Sequence, residues 1–202
     1  VILVPRTGSG SLYRAIAAAY PASMLLYRHM EADGVPQGYD RWRKVGVVRH
    51  PVDRLWSLYR FLKTFGGPGY DETYVAEMRA SVDRPFEDWL LNNHVAFSTP
   101  YRATASGELG IHPQYTQRYP IPDTRKSQFI NLRPDLGTEV FRYDALEELE
   151  AALGVALARH NATEPQPTPA LSPAAAAHIR RFFAWDLQAT GGAIELAAPV
   201  AA

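Results

Sequence analysis

Arg6 and Arg49 each stand just past a short apolar run, and each opens a segment built to hold a phosphate. The first reads Pro5-Arg6-Thr7-Gly8-Ser9-Gly10-Ser11-Leu12 after Val1-Ile2-Leu3-Val4. Gly8 and Gly10 let the backbone approach a ligand without a Cβ in the way, and the start of a following helix offers N–H groups and a positive dipole end to an anion. Arg6 adds a fixed charge and a planar donor fork. The second reads Val48-Arg49-His50-Pro51-Val52-Asp53-Arg54-Leu55-Trp56-Ser57-Leu58-Tyr59, with Lys44-Val45-Gly46-Val47 before it and Pro51 near the first helical position, where its missing N–H costs nothing. Together they describe a pocket for a nucleotide with two separated phosphates. A Walker A loop, Gly-x-x-x-x-Gly-Lys-Ser/Thr, needs a lysine, and Gly8-Ser9-Gly10-Ser11 runs on to Leu12 with none; a dinucleotide fingerprint would need a glycine at Tyr13.

The elements that must position these residues follow from periodicity. Short apolar runs predict strands over 1–4, 23–27 and 44–48, and helices follow over 11–20 and 51–64, the second almost wholly apolar. Glycines and a proline mark a loop over 65–70, with helices over 72–81 and 85–93. The stretch 97–126 is rich in Pro, Tyr, Thr and Gly, and its Tyr101, Tyr115 and Tyr119 suit the wall of an acceptor site. Beyond it come strands over 128–132 and 139–142, a helix over 144–153, and a last helix from Ser172, its N-cap, to about residue 188. This is an α/β chain with short parallel strands, read as one domain over 1–190 and a frayed tail over 191–202. Arg49 then lies at the carboxyl edge of the sheet, where open α/β sheets bind ligands.

The pattern Arg49-x-Pro51-x-x-Arg54-x-x-Ser57-x-Tyr59 resembles the 3′-phosphate motif of sulfotransferases, and Pro5 to Leu12 resembles their 5′-phosphosulfate loop. His112-Pro113-Gln114, Val140-Phe141-Arg142-Tyr143-Asp144-Ala145-Leu146 and the terminal helix resemble the carbohydrate-modifying, heparan type, so the likeness spans almost the whole chain. It implies a three-layer α/β/α, P-loop-like fold around a central, mainly parallel sheet. It further implies 3′-phosphoadenosine 5′-phosphosulfate (PAPS) as donor, 3′,5′-adenosine bisphosphate (PAP) as product and an acceptor hydroxyl, favouring an oligosaccharide. Arg49 and Ser57 would hold the 3′-phosphate, and Arg6, Thr7, Gly8, Ser9, Gly10, Ser11 and Leu12 the 5′-phosphosulfate. Arg6 stands where the family usually has lysine; arginine keeps the charge but changes the reach.

Sulfuryl transfer needs a base for the acceptor hydroxyl. His29 is the first candidate, at the end of the expected second strand and twenty residues before Arg49, where related uronyl sulfotransferases carry a histidine. Glu31 is the second and His112 the third, with His112, Gln114 and Tyr115 expected against the acceptor. Arg54 reads as a helix anchor through an ion pair, and Arg125-Lys126 as an exposed basic pair.

The balance of 21 basic and 21 acidic residues argues against nucleic acid as main partner, and the absence of cysteine excludes disulfides and thiolate metal sites. No His or acid pair has ligand spacing on one helix face, so no metal is expected. With no signal-like start and no run of about eighteen apolar residues, the expectation is a soluble, cytoplasmic protein without a membrane partner. Two alternatives stay open: a nucleotide-binding protein with no transferase activity, and an ATP-dependent small-molecule kinase.

Overall fold

Val45, Val47 and Val48 are buried on a strand whose middle residue is Gly46, and this strand, β1 (Lys44–Val48), is the axis of the first of two units. The computed structural model describes residues 1–23, 25, 29–35, 38–68, 70–97, 120–158 and 166–197. The described residues of the first unit are those of 1–49, 120 and 128–158; those of the second are 50–97, 121–127 and 166–197. The chain is mixed α/β. Its one sheet among the described residues pairs β1 in parallel with β2 (Thr138–Arg142), in a register from Lys44 opposite Thr138 to Val48 opposite Arg142.

In the first unit the expected strand over 1–4 shrinks to one parallel bridge, Ile2 to Gly46, held by the Ile2 N–H on the Val45 carbonyl at 2.8 Å. The reason is local. The Leu3 carbonyl accepts from His29 Nδ1 at 2.7 Å and the Val4 carbonyl from the Thr7 hydroxyl at 3.0 Å, while Pro5 has no N–H to give, so the ladder cannot continue. The first helix, α1, runs Ser9–Ala19 and buries Leu12 with Leu3, Val45, Val47 and Leu149. Residue 25 and the described residues around 23 form no strand, and the remainder of the strand expected over 23–27 lies outside the described residues.

Residues 128–132, expected as a strand, are a short helix instead. This segment lies on β1 because Gly46 leaves room for it: a Cβ there would come within 2.2 Å of Leu132 Cδ2. After β2 the chain turns through Tyr143–Ala145 into a helix, Leu146–Leu153, whose Leu149 is buried.

The second unit is helical. Its first helix, α2 (Pro51–Lys63), is amphipathic rather than apolar all round: Val52, Leu55, Leu58, Tyr59 and Leu62 are buried, and Lys63 is exposed. Two helices follow, Glu72–Ser81 and Phe86–Asn92, packing Met78, Phe86, Trp89 and Leu90 into the same core. Ser172 caps its helix as expected, accepting from the Ala175 N–H, but that helix ends at Phe182. Buried Phe183 separates it from Ala184–Thr190. The chain does not fray at once after Gly191: Leu196 bridges to Leu171, and Gly192 is packed so closely on the His50 ring that a Cβ would fall 2.1 Å from it. No helix among the described residues is long and apolar enough to cross a membrane.

Candidate functional site

Three chain segments meet at the carboxyl edge of the first unit's sheet. The first is the turn from Arg6 to Gly8. Arg6 (φ 66°) and Gly8 (φ 78°) both take the left-handed conformation, which glycine adopts freely and arginine does not. Gly8 occupies the N-cap of α1, and the Leu12 N–H closes on its carbonyl at 3.0 Å. The first turn of α1, Ser9-Gly10-Ser11, carries no acidic side chain, which leaves its dipole end open to an anion. Thr7 is buried with its hydroxyl turned back on Val4, and Leu12 is in the core, so these two shape the turn with their side chains.

Arg49, the residue after β1, is the second. Its Nη1 donates to the Arg6 carbonyl at 3.3 Å, and its guanidinium lies 4.7 Å from the centre of the Tyr143 ring. Tyr143, the third, follows β2 directly, and its ring edge would lie 3.3 Å from a Cβ at Gly8. The turn therefore carries the Arg49 guanidinium on its Arg6 carbonyl and the Tyr143 ring beside Gly8. Beside Tyr143, a side-chain hydrogen bond from Arg142 holds the Asp144 carboxyl below the usual carboxylate range.

In the same unit the His29 Nδ1 bonds the Leu3 carbonyl at 2.7 Å. A carbonyl only accepts, so Nδ1 carries the proton and Nε2 is the basic nitrogen of the neutral ring. His29 is buried and also left-handed (φ 64°). Of the three non-glycine residues with positive φ among the described residues, two are thus Arg6 and His29, and strained backbone of this kind gathers at functional sites. Glu31, two residues on, is fully buried at the start of a short turn, Ala32–Gly34.

Arg6, Gly8 and Arg49 are thus brought together with Tyr143, and His29 lies in the same unit, bonded to Leu3. Ser57 lies on α2 in the second unit. His112, Gln114 and Tyr115, with the rest of the expected acceptor wall, lie outside the described residues. Arg54 is a buried anchor as expected: it donates to the Asp123 and Lys126 carbonyls at 3.2 Å and stands 3.9 Å from the Asp123 carboxylate. Lys126 is buried, not the exposed half of a basic pair. Among the described residues no group of three or more His, Asp or Glu side chains could hold a metal ion.

Two residues of the site carry no obvious sequence signal. Tyr143 lies in a segment noted only for its family likeness, and Gln128 in one expected as a strand. Gln128 Oε1 accepts from the Arg49 N–H at 2.9 Å, and its Nε2 donates to the Arg49 carbonyl at 2.7 Å. A hint existed in Gly46, since a glycine inside an apolar strand often marks the close approach of another element. Comparison with protein-family models, curated proteins and solved structures returns no match.

Proposed function

We propose that this chain is a sulfotransferase that moves a sulfuryl group from PAPS to an acceptor hydroxyl, with a carbohydrate as the acceptor class. The observation that carries the reading is the left-handed Arg6–Gly8 turn at the start of α1 with the Arg49 guanidinium on it; His29, whose Nδ1 is taken by the Leu3 carbonyl in the same unit, is the base in this reading. The residues fit an anionic donor: Gly8 needs its positive φ, a Cβ there would crowd Tyr143, and the Arg49 guanidinium lies on the turn. The parallel pairing of β1 with β2, and the helix that follows β2 in the same unit, support the mainly parallel sheet of the P-loop-like fold that the resemblance implies.

In this reading Arg6 and the amides of residues 8–11 hold the 5′-phosphosulfate and stabilise charge on the departing phosphate. Arg49 holds the 3′-phosphate. The donor supplies the activated sulfuryl group. His29 Nε2 takes the proton of the acceptor hydroxyl as its oxygen bonds to sulfur, and the Leu3 carbonyl steadies the imidazolium through Nδ1–H.

His29→Asn tests the base. The Asn amide places an N–H near the position of Nδ1, so the bond to Leu3 can persist, and Asn tolerates positive φ, but Nε2 is gone. Transfer of labelled sulfate from PAPS to sugars should fall at least about 100-fold with PAP binding intact. Normal transfer would place the base elsewhere, and a parent chain that binds PAP but never releases sulfate from PAPS would make this a binding protein.

A further inference from the structure

We infer that Gln128 is a positioning residue for Arg49, and through it sets the selectivity of the site for a nucleotide bearing a 3′-phosphate; this rests on the function proposed above. The β1–β2 ladder ends with Val48 opposite Arg142, so Arg49 lies beyond the last pair of the sheet. At that point the Gln128 side chain takes over, spanning both main-chain polar groups of Arg49 with bonds of 2.9 and 2.7 Å. The amide can face only one way, because the N–H must donate and the carbonyl must accept. Gln128 is 1% exposed, so water does not compete for either bond.

The short helix that carries Gln128 is itself fixed. Leu132, one turn further on, is fully buried against Gly46. Arg133 then ends the helix in a left-handed conformation and bonds Asp33 at 3.1 Å, on the turn just after Glu31. Arg49 therefore leaves the sheet with its main chain clamped, and its guanidinium is oriented by the Arg6 carbonyl and the Tyr143 ring. A cation held this way loses little freedom when it meets a phosphate, and a displacement of about 0.5 Å in its support is enough to degrade a site.

The test uses two variants of the full chain. Gln128→Glu keeps the shape but turns the bond to the Arg49 carbonyl into an oxygen–oxygen repulsion; Gln128→Met removes both bonds and keeps the bulk. PAP and 5′-AMP are titrated into each, below its melting temperature, and the ratio of the two affinities is read. The expected result is a fall of about tenfold in the preference for PAP, with 5′-AMP affinity within about twofold of the parent. Arg49→Ala should give a larger loss, and Gln128→Glu should add little to it. An unchanged ratio in a folded variant, even one with a lower Tm, overturns the inference, as does failure of both variants to fold, which would make Gln128 structural alone. A parent chain that does not prefer PAP over 5′-AMP is a different failure, which removes the proposed function itself.

Discussion

Gly46→Ala is the perturbation whose consequence can be worked most fully from the structure. The new methyl would lie 2.2 Å from Leu132 Cδ2, 3.3 Å from the Ile2 carbonyl oxygen and 3.6 Å from Ile2 Cβ. Carbon atoms rest about 3.5–4.0 Å apart, so the overlap with Leu132 is at least about 1.3 Å. Leu132 is fully buried and Ile2 is bridged to Gly46, so neither can yield without moving its element. Overpacking costs about 1–3 kcal/mol, and an overlap this deep belongs at the upper end. Replacing a strand glycine returns about 0.5–1 kcal/mol of backbone entropy, leaving a net loss of about 2 kcal/mol. Leu132→Ala alone should cost about 2–5 kcal/mol by opening a cavity. In the double variant the added methyl fills part of that cavity, so the two losses should fall short of their sum by about 1–2 kcal/mol. Urea unfolding of the four proteins measures the cycle. Additivity within about 0.5 kcal/mol would refute the packing of the Gln128–Leu132 helix on β1, and with it the way Gln128 reaches Arg49.

Two further outcomes are expected in the second unit. Arg54→Ala leaves the buried Asp123 carboxylate without its counter-ion and two carbonyls without their donor, so a loss of about 3–5 kcal/mol in urea unfolding is predicted; a loss under about 1 kcal/mol would contradict the anchor. His178 donates from Nε2 to the Thr124 carbonyl, and burial, aided by Arg125 and Arg181, lowers its pKa. The unfolded ring binds the proton more readily than the folded one, so its contribution is complete above about pH 6.5 and is lost as pH falls through that value. His178→Gln should flatten the fall in stability between about pH 7 and 5, and parallel curves for the two proteins would contradict it.

The strand at 44–48, the helices beginning at 51, 72 and 86, and the Ser172 cap were legible because each rests on local pattern: apolar periodicity, a proline at a helix start, a hydroxyl at an N-cap. The segment 128–132 was not, because its helix is held by contacts distant in sequence. Leu132 needs the space at Gly46, and Gln128 finds its partner 79 residues away. Propensity within five residues cannot register either. The strand at 1–4 failed for the opposite reason, since its composition suits a strand but its carbonyls are taken by Thr7 and His29. Of the site, Arg6, Gly8 and Arg49 could be read from residue type at a strand end. The proton position on His29, the left-handed Arg6 and the Tyr143 ring over the turn depend on tertiary placement.

We propose that the Arg6–Gly8 turn and Arg49 form a site for a nucleotide with phosphates on both its 3′ and 5′ positions. Isothermal titration of the full chain with PAP, and with ADP with and without magnesium, tests it most directly. PAP should bind at least about tenfold more tightly than ADP, without need of magnesium, and Arg49→Ala should weaken its binding by about 2–4 kcal/mol. Binding of magnesium-ADP equal to or tighter than PAP, or PAP affinity unchanged in Arg49→Ala, would contradict it.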